Sequence, residues 1–364
     1  MPHSGGQQPF PAQGSASSLT TASKSEDESL SGHVGHLNSQ QQQSLNAFKA
    51  LIFAQGLYTE DPVASHDTAT LLRFLRARKF DAAAALKHFK EAENYRHSNH
   101  VDAFFTQHDI ETYEQARRVY PTWTGRRTKR GLPFFVYRIN DLDKKTMNRF
   151  LGDTNKGKSD KSTDPPAVLA LFEFLLQLVT PLLTQLRDRP NLETPITQSF
   201  QIVDIGGVSL KQFLSLRGHL GHASTLATTT YPETLNTILV VGAPPFVGTV
   251  WQFIAQWFDA AMRDKIHILE TNQASNLQRI CEFVELENVP KIYGGNLDWL
   301  PGDLPNVDPE IVHAFGVDKD KWPVGPVKME GTDIVAVGTT KEGKLRKDVI
   351  GSLRSDAYPQ TSMQ

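Results

Sequence analysis

The sequence has little cysteine and lacks any long apolar run. Cys281 is the only cysteine among 364 residues, so the chain cannot form an internal disulfide, as is typical of a reducing compartment. No stretch reaches the roughly 18 consecutive apolar residues that a membrane-spanning helix requires. The first 18 residues contain no apolar run of signal-peptide length. These absences predict a protein of the cytoplasm.

The sequence also lacks charge of one dominant sign and the common catalytic motifs. A net charge of -2 excludes a molecule that binds nucleic acid by its overall charge. There is no nucleophile elbow, P-loop, H-E-x-x-H or dinucleotide glycine fingerprint. Cys281 has apolar neighbours, and His219 and His222 have no cysteine or carboxylate nearby to complete a metal site. We therefore expect no enzyme, no metal and no cofactor.

Composition divides the chain into four segments. Residues 1–43 are rich in Gln and Ser and are expected to be disordered. Residues 44–118 have helical apolar spacing, with Asp67 and Asp81 as predicted N-caps. Residues 316–364 form a Gly-, Lys- and Thr-rich tail in which "TDIVAVG" predicts one strand and the remainder is expected to be loose.

The remaining segment, residues 119–315, alternates short apolar runs with helical patterns. The runs "GLPFFVYRI", "SFQIVDI", "TILVVGA" and "KIHILE" are typical of buried strands. Strand alternating with helix predicts an α/β domain with a largely parallel sheet. Residues 152–166 are polar and are expected to form a flexible insertion.

The stretch "FVGTVWQFIAQWFD", residues 246–259, is the most apolar helical pattern in the chain. At about 20 Å it is too short to cross a bilayer. Exposing its apolar face would cost about 10–20 kcal/mol, so that face must contact core, ligand or membrane. The pattern alone favours a core helix. The apolar positions include Phe246, Val250, Trp251, Phe253, Ile254, Trp257 and Phe258.

Three motifs, in this order, resemble the CRAL-TRIO lipid-exchange family. They are "LLRFLRARKFD" at 71–81, the stretch from "YPETL" to "KIHILE" at 231–270, and "VPKIYGG" at 289–295. The resemblance is closest to the fungal phosphatidylinositol/phosphatidylcholine transfer proteins. It implies a helical N-terminal module followed by an α/β domain whose apolar cavity holds one phospholipid. Residues 246–259 would then be the gate helix across the cavity mouth.

The resemblance also implies a set of residues that bind the lipid headgroup. The family's basic pair corresponds to Arg78 and Lys79, its acid to Glu233 and its later lysine to Lys265. Cations of this kind bind a phosphodiester, and a carboxylate accepts hydrogen bonds from inositol hydroxyls. Met262 replaces a threonine of the family pattern, so one hydroxyl contact is lost or replaced.

A second headgroup site is less well matched. Ser199 matches a family serine, but Gln201 stands at a threonine position, and Thr124 and Phe135 stand where the family has tyrosines. Binding of choline usually requires aromatic faces, so exchange of phosphatidylcholine is in doubt. The second ligand could be another lipid, a sterol or another apolar molecule.

A basic run at residues 116–130 carries six cations. It has two readings. One is a solvated loop. The other is a surface attracted to anionic lipids.

The function implied by the resemblance is binding of phosphatidylinositol and its transfer between membranes, without covalent chemistry. The implied partners are a phospholipid ligand, membrane surfaces and a lipid kinase, but no nucleic acid. The protein is expected to be a monomer of the cytoplasm, peripheral on Golgi or endosomal membranes. The alternatives are a binding module for a sterol, a different phospholipid or haem, and a scaffolding protein with a filled pocket.

Overall fold

The computed structural model describes residues 30–142, 166–248, 251, 255–257, 260–269 and 272–358. The side chains of Pro166, Ala167, Arg217, Trp257 and Ala261 are outside this description. Within the described ranges, none of the helices is both long enough and apolar enough to cross a membrane. The expected insertion at 152–166 lies outside the described residues except for Pro166, which begins a helix. Most of the N-terminal arm and the last six residues also lie outside them.

Five helices form the N-terminal module. Asp67 and Asp81 accept hydrogen bonds from the backbone amides of Thr70 and Ala84, so both predicted N-caps are confirmed. The module has its own apolar core, which includes Leu71, Leu72, Phe74, Leu75 and Phe89. The helices are α1 (Ser39–Ala54), α2 (Thr68–Ala77), α3 (Ala82–Ser98), α4 (Val101–Gln107) and α5 (Ile110–Arg117).

The end of the arm is ordered, contrary to the expectation for residues 30–43. Asn38 and Gln41 form a reciprocal capping box that starts α1 five residues before the expected boundary of the module. Leu30 is buried, and the Thr194 hydroxyl donates to the Val34 carbonyl at 2.9 Å. Composition could not predict that these residues are ordered, because they are held by contacts with residues far along the chain, such as Thr194.

Five strands form a sheet in sequential order, β1 (Thr122–Arg127), β2 (Pro133–Arg138), β3 (Ser199–Asp204), β4 (Leu235–Val241) and β5 (Ile266–Ile268). The β1–β2 pair is antiparallel and the other three pairs are parallel. The predicted α/β class with a largely parallel sheet is therefore confirmed. Strand β1 was not predicted, because its residues, "TWTGRR", form no apolar run.

Sequential strand order determines where the connecting helices lie. Right-handed crossovers between neighbouring parallel strands place their helices on the same face of the sheet. Between β2 and β3 the chain forms α6 (Pro166–Phe174), a π-helical turn (Leu175–Val179) and α7 (Thr180–Thr184). Between β3 and β4 it forms α8 (Leu210–Thr229), and α9 (Ala260–Asp264) precedes β5.

The opposite face of the sheet packs on α10 (Gln273–Cys281) and the segment that follows it. Because side chains alternate along a strand, Phe200 and Ile202 point to this core while Gln201 and Val203 point to the other face. Gly295, in the motif "VPKIYGG", lies against the Val289 backbone. A Cβ there would approach the Val289 carbonyl oxygen to 2.1 Å, so only glycine fits.

The C-terminal tail forms three strands, not one with a loose remainder. Helix α11 (Pro309–Phe315) is followed by β6 (Val327–Glu330), β7 (Asp333–Thr339) and β8 (Leu345–Ser352) in an antiparallel sheet. Only β7 is the predicted strand. Strands β6 and β8 are mostly polar. Backbone pairing with β7 fixes them, and backbone pairing leaves no apolar pattern in the sequence.

A buried ion pair joins the N-terminal module to the α/β domain. Glu173 of α6 is 1% exposed and accepts from the Arg96 guanidinium of α3 at 2.5 Å. It also accepts from the Tyr231 hydroxyl and from the Gln177 amide, each at 2.6 Å. Burial alone would lower the pKa of Arg96, but the Glu173 carboxylate raises it above its ordinary value. The Tyr231 ring stacks on Phe172 with centroids 4.6 Å apart, which fixes the turn before β4.

We expect Ile334→Ala, in β7, to destabilise the whole protein by about 2–5 kcal/mol, because Ile334 is fully buried in a core shared with the π-helical turn. Val349→Ala in β8 is the control. Val349 is 59% exposed, so its truncation should change the free energy of unfolding by less than about 0.5 kcal/mol. Urea unfolding followed by circular dichroism measures both. Equal stability of the two variants would contradict the placement of β7 in the core.

We expect Arg96→Met to destabilise the protein by about 3–5 kcal/mol, because it leaves the Glu173 carboxylate buried without its cation. Lys321→Met removes one partner of an exposed ion pair with Asp318 and should leave the unfolding midpoint unchanged. The same denaturation assay tests this. Similar midpoints for the two variants would show that the Arg96–Glu173 pair does not hold the two regions together.

Candidate functional site

A cavity of about 290 Å³ lies on the face of the sheet that carries the crossover helices, between the strands and the helices α6 and α8. Its walls are almost entirely apolar, and none of the described lining residues is Lys, Arg, Asp or Glu. The strands line the cavity with the side chains that point away from the α10 core on the other face of the sheet, including Phe135, Val203, Ile238, Val240 and Ile266. The helices contribute Phe172, Leu175, Phe213, Leu220 and Ala227 among others. Such a chamber can take an apolar ligand.

The apolar stretch 246–259 reaches this cavity where the structure describes it. Phe246, Val247 and Trp251 line the cavity directly after the carboxyl end of β4. Val247 and Trp251 are helical, and Ala255–Trp257 form a short 3-10 turn. The predicted gate residues Val250, Phe253, Ile254 and Phe258 lie outside the described residues, as does the Trp257 side chain. The described residues of the stretch 246–259 therefore face an open cavity and not a filled core.

The structure brings Glu233 and Lys265 together at the amino ends of β4 and β5. The Lys265 Nζ donates to Glu233 Oε2 at 2.9 Å, and each side chain is about one-fifth exposed. Glu233 has a φ of 57°, in the left-handed region that non-glycine residues avoid. Unfavourable backbone geometry of this kind is concentrated at functional sites.

Arg78 and Lys79 lie at the end of α2 and are exposed. No ion pair joins either of them to Glu233 or Lys265 within the described part of the chain. The Arg78 guanidinium donates to its neighbouring carbonyl, that of Ala77, at 2.9 Å. The structure therefore does not place this predicted basic pair in contact with the other two predicted residues.

Arg76 is a cation that the sequence analysis missed. Burial lowers its pKa to about 10, and the carboxylate of Glu233 opposes that shift, which places the two charges near each other. One guanidinium nitrogen donates to the Gly32 carbonyl at 3.3 Å. Its Nε and its other terminal nitrogen are buried, and neither has a hydrogen-bond partner among the described residues. In the sequence, the only indication that Arg76 belongs to this site was its position two residues before Arg78.

The candidate second headgroup residues lie on β3. Ser199 is fully buried, and its hydroxyl donates to the Thr234 carbonyl at 3.2 Å. The Gln201 amide lies 3.4 Å from the Ser199 oxygen, and Gln201 lines the cavity. Of the two residues at the family's tyrosine positions, Phe135 lines the cavity, whereas the Thr124 hydroxyl donates to the Phe134 carbonyl.

Four of the six cations in the basic run 116–130 are bound to other groups of the protein, and Arg118 is exposed. Arg117 pairs with the buried Glu114 at 2.8 Å. Arg127 donates to two carboxylates, those of Asp188 at 2.8 Å and Asp308 at 3.0 Å. Two further cations are also engaged, Arg126 with the Asn306 amide oxygen and Lys129 with the Cys281 carbonyl. These cations hold the ends of β1 to later segments, whose positions the sequence could not show.

Comparison with known proteins agrees with this architecture. Residues 117–295 match the CRAL/TRIO domain and residues 44–91 match the CRAL/TRIO N-terminal domain. The Sec14 cytosolic factor of Schizosaccharomyces pombe is 29% identical over 267 residues, which cover 73% of this chain and 85% of that protein. The phosphatidylinositol/phosphatidylcholine transfer protein SFH7 of Arabidopsis thaliana is 27% identical over 253 residues, covering 69% of this chain and 43% of that protein.

A solved structure extends the comparison to the fold. The crystal structure of Sfh5 superposes with a TM-score of 0.52 at 16% sequence identity, covering 75% of this chain and 93% of that one. At that identity the likeness concerns the fold alone. A helical module, a largely parallel sheet and an apolar cavity thus occur together with both matched domains, and the chain belongs to the CRAL-TRIO family.

Proposed function

We propose that this chain binds one phospholipid, phosphatidylinositol, and transfers it between membranes. The observation that carries this proposal is an apolar cavity with no charged lining residue, flanked by the Glu233–Lys265 ion pair at the amino ends of β4 and β5. The acyl chains would occupy the cavity and the headgroup would lie at the charged pair. The relatives include a phosphatidylinositol/phosphatidylcholine transfer protein, which supports the same assignment.

The need for such a carrier follows from the hydrophobic effect. Each methylene group contributes about 0.8 kcal/mol on burial, so two acyl chains cost on the order of 25 kcal/mol to expose to water. A carrier must cover both chains in solution and release them only where a membrane covers them instead. The stretch that begins at Phe246 lines the cavity with one face, as a lid with this role requires.

The charged groups suit an inositol phosphate. Lys265 and Arg76 can donate to the phosphodiester oxygens, and the Glu233 carboxylate can accept from inositol hydroxyls. Arg78 and Lys79 lie at the exposed end of the same helix as Arg76, from which they could reach a bound headgroup. Binding, exchange and presentation of the lipid to a kinase would require no covalent step and no cofactor. The protein would act as a monomer in the cytoplasm and at Golgi or endosomal membranes.

Protein purified from its own cells should carry a bound phospholipid, with phosphatidylinositol among the species, as measured by native mass spectrometry. Ala227 lines the cavity, so Ala227→Phe should fill the space and lower lipid loading several-fold while the protein stays folded. Ala50→Phe places the same ring on the exposed face of α1 and should load normally. Empty wild-type protein that also takes up no lipid from vesicles would contradict the proposal.

Lys265→Ala and Glu233→Ala should each lower phosphatidylinositol transfer between vesicles by about 10-fold or more, because each removes a charged partner of the headgroup. Arg76→Ala should act in the same direction. Lys321→Ala, at an exposed ion pair, serves as the control and should transfer at the wild-type rate. Unchanged transfer in both the Lys265 and the Glu233 variants would refute the headgroup assignment.

A further inference from the structure

A second, much smaller pocket lies where the ordered end of the N-terminal arm meets the α/β domain. Its volume is about 30 Å³. One water molecule needs about 10–15 Å³ of such space, so the pocket holds a group of roughly two or three water volumes. The arm, the β1–β2 turn and the chain before β3 each supply part of its lining, with the polar residues His33, Arg130, Arg189, Asn191, Thr197 and Gln198. We call it the arm pocket.

The arm pocket is lined by two arginines, and none of its described lining residues is Asp or Glu. The carboxylates within electrostatic reach of Arg189 are those of Glu193 and Asp188. Glu193 is exposed and lies 3.3 Å from His36 Nε2, and Asp188 pairs with Arg127 at 2.8 Å. Arg189 therefore forms no ion pair of its own within the described ranges of the chain.

Two hydrogen-bond donors of this lining are buried without a partner. Arg189 is 6% exposed, and its terminal nitrogens donate to the carbonyls of Thr184 and Thr194, each at 3.0 Å. Its Nε has no hydrogen-bond partner in the described part of the chain, and the same holds for the Thr197 hydroxyl. Buried polar atoms are ordinarily paired with protein, water or ligand. Both atoms therefore require an acceptor in the arm pocket.

His33 reports a positive potential in the arm pocket. Burial, followed by the positive charges of Arg76 and, to a smaller extent, Arg130, lowers the pKa of His33 to about 4. The imidazole is therefore neutral at physiological pH, with Nδ1 3.0 Å from the Leu30 carbonyl oxygen. Water in the pocket would satisfy the two donors but would not offset the charge of the arginines. An anion does both.

We propose that the arm pocket binds a phosphate group. Such a group carries about two negative charges and at least three acceptor oxygens, which suits two arginines and donors that come from different segments. A carboxylate has one charge and two oxygens in a plane, so it matches this set less well. Neither Glu233 nor Lys265 lines the arm pocket, so this site is separate from the proposed lipid headgroup site and does not depend on it.

A bound phosphate would connect the arm to the α/β domain. The arm already contacts both neighbouring regions, since the Arg76 guanidinium donates to the Gly32 carbonyl at 3.3 Å and the Thr194 hydroxyl donates to the Val34 carbonyl at 2.9 Å. His33 of the arm and Arg189 of the α/β domain line opposite contributions to one pocket. Phosphate should therefore stabilise the docked arm, because a ligand stabilises the state that binds it.

The first test is isothermal titration calorimetry of the full chain with inorganic phosphate at neutral pH, with sodium chloride matching the ionic strength. Thr197→Val removes only the hydroxyl and should weaken binding by about 10-fold, because a hydrogen bond to a charged group is lost. Since that hydroxyl has no partner among the described residues, this variant should keep its melting temperature. Arg130→Gln should weaken binding by about 10-fold or more.

Two matched controls accompany these variants. The Thr340 hydroxyl is also buried without a partner within the described residues, but Thr340 does not line the arm pocket. Arg118 is an exposed cation of the same basic run as Arg130 and also does not line it. Thr340→Val and Arg118→Gln should both bind phosphate with wild-type affinity. Lys265→Ala should do so too, because Lys265 belongs to the other site.

The source of the phosphate group is distinguished by titrating glycerol 3-phosphate in parallel. Binding of inorganic phosphate alone would assign a free ion to the pocket, whereas binding of both would assign a phosphomonoester whose substituent extends into solvent. Amide hydrogen exchange locates the site. Phosphate should slow exchange at residues 30–36 several-fold in the wild type, and much less in Thr197→Val.

The inference and the proposed function fail separately. No phosphate binding up to about 10 mM would overturn the inference, as would binding that Thr197→Val and Arg130→Gln leave unchanged. Binding lost in Lys265→Ala but kept in Thr197→Val would also overturn it, because the phosphate would then occupy the lipid headgroup site. Phosphate binding that depends on Thr197, in protein that transfers no phosphatidylinositol, would support the inference and contradict the proposed function.

Discussion

The structure depends on a sheet face that the protein itself does not fill. One face of the five-stranded sheet packs tightly on α10, with Phe200, Ile202 and Leu239 in a continuous core. On the other face the crossover helices stand away from the strands and leave a chamber with apolar walls. Apolar surface of this kind is unfavourable in contact with water. The architecture therefore leaves an apolar surface that an apolar ligand can cover.

The distribution of charge follows from the same constraint. Ionised groups are costly to bury in an apolar chamber, and among the described residues they lie outside it. Glu233 and Lys265 pair at one edge of the sheet, and the buried Arg76 lies within electrostatic reach of Glu233. The groups inside the chamber are neutral, the Tyr120–His219 pair and the Tyr137 phenol. The cavity is therefore neutral inside, and the charged pair lies at one edge of the sheet.

The helices that line the chamber are bound on their outer sides to other parts of the protein. The Arg96–Glu173–Tyr231 network joins the helical module to α6 and to the turn that carries Glu233. The C-terminal sheet packs its β6 and β7 residues, among them Val327 and Ile334, into the core behind the π-helical turn. That turn supplies Leu175 to the cavity wall. The helical module therefore contacts α6 and the tail contacts the π-helical turn that follows it, although neither region belongs to the five-stranded sheet.

The sequence alone determined the elements whose signals are local. Short apolar runs predicted β2, β3, β4 and β5, and Asp67 and Asp81 predicted two helix starts. Both signals involve only residues close together in the sequence. The family motifs selected Glu233 and Lys265, which the fold brings within 2.9 Å. Strand β1 and the outer strands of the tail gave no such signal, since backbone pairing with distant partners fixes them.

Only the tertiary structure decided which charges and hydroxyls are already engaged. In the sequence, Arg76 and Arg78 are equivalent cations two residues apart, but the fold buries the first near Glu233 and leaves the second exposed. Arg117 and Arg127 belong to one basic run in the sequence. In the fold, the buried Glu114 neutralises Arg117, and Asp308, far along the chain, neutralises Arg127. Tyr137 is one of eight tyrosines in the sequence, and only the fold places it on the wall of the cavity. These properties depend on distances between residues remote in sequence, which no local pattern contains.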